Sequence, residues 1–236
     1  MTEFLGPGSV SVVMPAFNEE GNIETAIMEC IQALGSTERA FEIIIVDDGS
    51  TDDTNAIATK LSVENPTVRI ITNQRNLGLG GTLRNGFDNA RGEFLFYTDS
   101  DLPIYMDDLV RALPLMKDVD FVTGFRLNRD EGPLRYLYST VYNHLVRFLF
   151  RITVPDVNFS FKLFRRSLYE SIELRSAGSF IDVELLAEAG KTGCRIQSIG
   201  VRYRSRVWGR STLASPRVIW GILVELFQYA WGKDRP

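Results

Sequence analysis

A mostly parallel, mixed α/β sheet flanked by helices is the fold class this sequence predicts, and three observations predict it. Apolar runs at 10–14, 41–46, 68–72 and 94–96 alternate with segments patterned for helices as far as about residue 102. Polar, glycine-containing turns punctuate them, in DDGSTDDT after the second run and in NLGLGGTLRNG after the third. The fourth run stops abruptly at Asp99-Ser100-Asp101, where an open α/β sheet would present a ligand site.

Taken in order, VSVVM is a strand broken by Pro15. Asn18 or Glu19 then stands where a cap is needed for a helix carrying Ile23, Ala26, Ile27, Cys30, Ile31 and Leu34 at helical spacing. The G-x-G-x-x-G that a dinucleotide fold wants at this turn is absent. FEIIIV ends in a tight turn at Asp47, Asp48 and Gly49, with Ser50 or Thr51 placed to cap the next helix. After VRIIT, the residues Gly78, Gly80, Gly81 and Gly86 let backbone approach a ligand or a neighbouring helix closely. No Gly-Lys-Ser/Thr follows them, which rules out a P-loop.

The acidic tripeptide is the centre of the reading. Two carboxylates flanking one small residue at a strand end are costly unless a cation lies between them. Asp99 and Asp101 are therefore read as the place where a divalent metal meets a phosphorylated ligand, although a turn capping the following helix explains the tripeptide alone equally well.

Beyond it, DFVTGFR is a fifth strand ending in Gly124 and Arg126, and LNRDEGP is expected to be a mobile loop that gates the site. In 134–152, Arg135, Ser139, Asn143, Arg147 and Arg151 fall four apart, with Leu145, Phe148 and Leu149 among the apolar remainder. That pattern suits a helix packed on the sheet or a basic amphipathic helix in a membrane interface. VNFSFKLFRR alternates like a strand with Lys162, Arg165 and Arg166 outward, and FIDVELLAEAG is a helix with Asp182 and Glu184 where carboxylates suit the dipole. The last strand opens into a cationic loop with Arg206, Arg210, Ser211 and Thr212, and arginine forks facing an acidic metal site suit a diphosphate. Residues 216–231 form an aromatic helix around Glu225, expected with 134–152 to lie on a membrane surface. The domain is drawn at 1–213 and the C-terminal helix and tail at 214–236.

Composition narrows the classes. A chain of 236 residues buries one substantial core, and a net charge of −4 argues against nucleic acid as a partner. Cys30 and Cys194 make no metal or disulfide pattern, and His144 alone cannot build a histidine zinc site. No signal pattern opens the chain and no run is long enough to span a bilayer, so the expectation is a soluble or membrane-surface protein.

The ordered set PAFNEE, VDDGSTDDT, NLGLGGTLRNG, YTDSDLP, GFR, FSFKLFRR, FIDVELL and RVWGRST, over about residues 9–213, resembles family 2 glycosyltransferases of the GT-A (Rossmann-like) fold. Among them it is most similar to the dolichol-phosphate mannose synthase and polyprenyl-phosphate glycosyltransferase branch. The resemblance implies that Pro15, Phe17, Glu19, Val46 and Asp48 form the nucleotide-base pocket. It implies that Asp99, Ser100 and Asp101 bind the diphosphate and Mg2+ or Mn2+, with Asp101 the first choice as direct ligand. Arg126, Arg135, Arg206, Ser211 and Thr212 would gather donor and acceptor phosphates. Pro103 stands where relatives often carry a polar metal contact, which puts tight metal binding without donor in doubt.

The activity so implied is inverting transfer of one sugar from a GDP- or UDP-linked donor to a polyprenyl or dolichyl phosphate. It would proceed at the cytoplasmic face of a membrane, through interfacial helices or a membrane partner subunit. An ionised phosphate acceptor needs no strong base, which leaves Asp182 to orient the sugar or acceptor. A hydroxyl acceptor would make Asp182 the general base. A sugar-nucleotide pyrophosphorylase would want a basic glycine-rich loop where PAFNEEGN stands, a processive polymerase would want Q-x-x-R-W near RVWGR, and a non-catalytic sensor would not need Asp99, Asp101 and Arg206.

Overall fold

The computed structural model describes residues 4–127, 133–150, 152–204, 224–226 and 229. Its strands are β1 (Val10–Ala16), β2 (Phe41–Asp47), β3 (Val68–Thr72), β4 (Phe94–Tyr97), β5 (Phe121–Arg126), β6 (Lys162–Arg165) and β7 (Ile196–Val201). Its helices are α1 (Ile23–Gly35), α2 (Thr54–Glu64), α3 (Gly78–Asp88), α4 (Asp107–Ala112), α5 (Pro133–Phe150), α6 (Arg166–Glu170) and α7 (Ile181–Lys191). The strands form one sheet in the order β3-β2-β1-β4-β6-β5-β7. All its pairings are parallel except those of β6, which runs antiparallel between β4 and β5.

Alternation along the central strands feeds both faces. Val12 and Met14 of β1, with Ile43 and Ile45 of β2, pack against Ile23, Ile27 and Leu34 of α1, Leu61 of α2 and Leu109 of α4. Val13, Ile44 and Val46 point the other way, into Leu83 and Phe87 of α3, Val146 of α5 and Leu185 of α7. Burial on both faces is why these strands read as continuous apolar runs rather than as alternating ones.

Pro15 does not end β1, which continues to Ala16. Pro15 pairs with Val46 of β2, whereas the pairing with β4 stops at Val13 and Tyr97. Its missing N–H therefore costs no ladder bond, which is why a proline is tolerated there.

The glycines of α3 settle what approaches them. A Cβ on Gly80 would stand 2.0 Å from the Ser176 carbonyl oxygen, and the Gly80 N–H donates to the Ala177 carbonyl at 2.8 Å. The neighbour is thus the loop before α7. That loop cannot retreat freely, because Glu184 accepts the N–H groups of Arg175 and Ser176 at 3.0 and 2.9 Å. Gly80→Ala is expected to lower the unfolding free energy by about 1–3 kcal/mol through overpacking, more than the ~1 kcal/mol that alanine gains in a helix. Urea denaturation checks it; a variant as stable as the parent would mean that the loop moves without cost.

Candidate active site

The carboxyl ends of β1, β2 and β4 share one edge of the sheet, and the loops leaving them are stitched together. Thr51 N–H donates to Asn18 Oδ1 at 2.8 Å, Asn18 N–H to Ser50 Oγ at 3.0 Å, and Glu19 N–H to Thr54 Oγ1 at 2.7 Å. None of Asn18, Glu19, Ser50 and Thr51 caps a helix. The cap positions fall at Asn22 and Asp53, and the expected capping groups hold loop to loop instead. Pro15 stands half-buried at this edge, and Phe17 is 47% exposed there.

Two of the expected pocket residues have other surroundings. Val46 is fully buried in the core facing α3. Asp48 Oδ1 accepts Asn73 Nδ2 and Leu77 N–H, both at 2.8 Å, and its Oδ2 accepts Gly78 N–H at 3.1 Å. Asp48 satisfies the first N–H groups of α3, which have no partner within the helix.

The acidic tripeptide forms a turn in which Leu102 N–H donates to the Asp99 carbonyl at 3.1 Å, and Leu102 sits at φ 41°, 2% exposed. Helix α4 starts only at Asp107, after Met106, so the tripeptide is not its cap. Ser100 is 2% exposed, and the Tyr97 hydroxyl donates to Asp99 Oδ1 at 3.2 Å. Burial, and then the Asp101 carboxylate beside it, push Asp99 up to about 7 against a hydrogen bond from Ser160.

Facing this turn is a buried ion pair. Lys162 begins β6 opposite Tyr97, and its Nζ donates to Asp182 Oδ1 at 2.5 Å and to the Phe159 carbonyl at 2.8 Å. The expectation that Lys162 points outward is wrong: it is 0% exposed. A strand covered on both faces has no outward side, and the ammonium is accommodated only because Asp182 meets it. Burial raises the Asp182 pKa, Lys162 opposes the rise, and the Asp156 carboxylate adds to it. Arg165 and Arg166 pair with Glu93 and Glu170 at 3.0 and 3.1 Å.

Arg126, at the end of β5, is held as a fork: its Nε donates to Asp156 Oδ2 at 2.9 Å and its Nη2 to Oδ1 at 3.3 Å. Its guanidinium lies 5.5 Å from the ring centroids of both Phe159 and Tyr203. Sequence reasoning missed Asp156, which is 1% exposed. The only signal was an acid in the mostly apolar VPDVNF, 30 residues from its partner.

A family model described as glycosyl transferase family 2 matches residues 11–173. The chain belongs to this family. Glycosyltransferase AglD of Haloferax volcanii is 32% identical over 94% of this chain and 37% of its own length. Dodecaprenyl-phosphate galacturonate synthase of Rhizobium johnstonii is 33% identical over 70% of this chain, and dolichyl-phosphate beta-glucosyltransferase of Drosophila melanogaster is 31% identical over 82%. The chain spans 50% and 66% of those two relatives. Glucosyl-3-phosphoglycerate synthase from Mycobacterium tuberculosis, solved with Mg2+ and UDP, shares the fold at a TM-score of 0.74, with 21% identity over 94% of this chain and 79% of that one. The same enzyme with Mn2+ and UDP-glucose gives a TM-score of 0.70 and 20% identity, covering 95% and 79%.

In this family 2 chain, no three His, Cys, Asp or Glu side chains group as a metal cage among the described residues. Asp99 and Asp101 are the pair with the chemistry for a cation that also takes substrate phosphate oxygens, since Mg2+ so bound needs only one or two carboxylates. Arg135 lies in α5, but its side chain is outside the described residues. Outside them too are Arg151, Arg206, Arg210, Ser211, Thr212, loop residues 128–132 and most of 216–231.

The polar stripe of α5 is turned from its expected direction at two described positions. Asn143 is 5% exposed and its Oδ1 accepts Val157 N–H at 3.0 Å, while Arg147 Nη2 donates to the Pro155 carbonyl at 2.8 Å. The segment carrying Asp156 has backbone groups to satisfy, and polar side chains of α5 satisfy them. Phe148, 83% exposed, faces outward with Leu145 and Leu149. Near the C-terminus, Glu225 accepts Gly178 N–H at 2.9 Å, Leu226 is 1% exposed, and Tyr229 stacks edge-on against Phe150. These residues pack on the domain.

Proposed function

We propose that this chain transfers one sugar, with inversion, from a nucleotide diphosphate sugar to a polyprenyl or dolichyl phosphate at the cytoplasmic face of a membrane. The observation that carries the acceptor class is the Lys162–Asp182 pair. The carboxylate that a hydroxyl acceptor would need as base is buried and bonded to an ammonium at 2.5 Å. An ionised phosphate attacks without such a base. The names of the curated relatives support the same acceptor.

In this reading Asp99 and Asp101 hold Mg2+ or Mn2+ together with donor phosphate oxygens, and the bound cation supplies neutralisation of the departing diphosphate. Asp156 holds the Arg126 guanidinium in one orientation, so that its positive charge is placed in advance of substrate binding. Pro15, Phe17 and Glu19 line the base side. Arg135, Arg206, Ser211 and Thr212 take the phosphates. Among the described residues no helix is long and apolar enough to cross a membrane. The exposed Phe148, Leu145 and Leu149 of α5 give the chain an apolar face for the surface on which a polyprenyl phosphate rests, and a membrane partner subunit would serve the same end.

The test presents donor sugars and Mn2+ with vesicles containing either polyprenyl phosphate or the matching polyprenol. Sugar is expected on the phosphate alone. Equal transfer to the polyprenol would replace this reading with the hydroxyl one.

A further inference from the structure

We propose that Arg204, locked by Glu29, is the positioning residue that sets the acidic turn and ties it to the chain leading into the cationic segment. The proposal rests on the functional reading of Asp99 and Asp101 given above.

Arg204 touches three separate parts of the protein. Its backbone N–H donates to the Pro103 carbonyl at 2.9 Å, beside the isolated bridge between Ile104 and Tyr203. Its Nε donates to the Leu102 carbonyl at 3.2 Å. Its Nη1 and Nη2 donate to the two carboxylate oxygens of Glu29 on α1 at 2.9 and 3.1 Å. The bidentate pair fixes the plane of the guanidinium, and so the direction of Nε. Tyr105 completes the seat: Arg204 lies 5.3 Å and Arg202 4.9 Å from its ring centroid.

Leu102 needs such a seat. It is one of two described non-glycine residues at positive φ, the other being Asn18. A leucine stays there only when its surroundings over-determine it. Its N–H is engaged by Asp99, its side chain is buried in the core, and Arg204 supplies the remaining restraint on its carbonyl. Releasing that carbonyl lets Leu102 relax toward ordinary φ, which rotates the peptide that follows Asp101. The same arginine stands two residues before Arg206 in the chain. One guanidinium therefore references both the acidic turn and the chain at Tyr203 and Arg204 to α1. Neither Arg204 nor Glu29 is placed in contact with substrate.

The experiment compares wild type with Arg204→Met, Arg204→Lys and the milder Glu29→Gln. Amide hydrogen exchange is read on the metal-free, donor-free chain. In Arg204→Met the Leu102 amide is expected to exchange roughly ten- to a hundredfold faster, the factor equivalent to one charge-assisted hydrogen bond, while the β2 amides keep their protection. Arg204→Lys keeps the charge but not the fork and is expected to share the defect. In turnover, kcat falls and the Mn2+ concentration giving half-maximal rate rises, with the smallest change in Glu29→Gln. An unchanged Leu102 amide in Arg204→Met and Glu29→Gln overturns the proposal, and so does faster exchange with wild-type kcat and Mn2+ requirement. If wild type fails to glycosylate polyprenyl phosphate, the functional reading falls, and the exchange result still decides whether Arg204 holds the turn.

Discussion

Lys162→Met is expected to lose about 3–5 kcal/mol of stability at pH 8, the loss typical of removing one partner of a buried ion pair. The pair qualifies because Lys162 is 0% and the Asp182 side chain 5% exposed, with Nζ–Oδ1 at 2.5 Å. Without the ammonium, Asp182 keeps only the influences that raise its pKa, namely burial and the charge of Asp156. The folded variant then holds a proton that the unfolded chain has released above its ordinary 3.8, so its stability falls as pH rises through the window from 3.8 to the raised value. The deficit should accordingly be smaller at pH 5 than at pH 8. Adding Asp182→Asn removes the unpaired charge and is expected to recover part of the loss at pH 8. Guanidinium unfolding at the two pH values decides the matter; a single variant as stable as wild type at pH 8 would show that the pair is dispensable.

What the sequence could and could not reveal follows from the range of the interactions. The runs VSVVM, FEIIIV and FLFY show themselves because strands buried on both faces are apolar along most of their length, whereas VRIIT, at the sheet edge, shows itself by its β-branched run. The acidic turn shows itself because two carboxylates so close at a strand end need a reason. Lys162 was misplaced because period-two alternation identifies a face without saying whether that face is solvent. The antiparallel insertion of β6 between β4 and β5 leaves no local mark either, since its four residues pair with strands tens of positions away. Arg126 was legible as a cation at a strand end, but its bond to Asp156 was not, because nothing near either residue anticipates the other. The stripe on α5 had the right period, yet at Asn143 and Arg147 the polar groups satisfy backbone of 155–157. Helical periodicity locates such a stripe and is silent on what it faces.

Asp101→Asn is expected to lower turnover by about 10²–10³-fold or more, the scale of removing one preorganised group from charge stabilisation in a transition state. The isostere keeps the shape of the turn but not the charge, so the loss reads the electrostatics of the site. A second readout needs no substrate. Asp99 stands at about 7, raised first by burial and then by the Asp101 carboxylate. A carboxyl raised in this way binds its proton more tightly folded than unfolded. Stability of the metal-free chain therefore falls as pH rises from its ordinary 3.8 to about 7, and the fall is complete above that. With Asp101 neutral, the second cause of the rise is gone. Asp99 then titrates at lower pH, and the decline between pH 4 and pH 7 becomes shallower. Adding Mn2+ and donor is expected to stabilise wild type, by about 2.7 kcal/mol at a hundredfold excess over the dissociation constant, and to leave Asp101→Asn nearly unmoved. A variant that keeps wild-type turnover, or whose stability changes with pH and Mn2+ as wild type does, would remove Asp101 from the site.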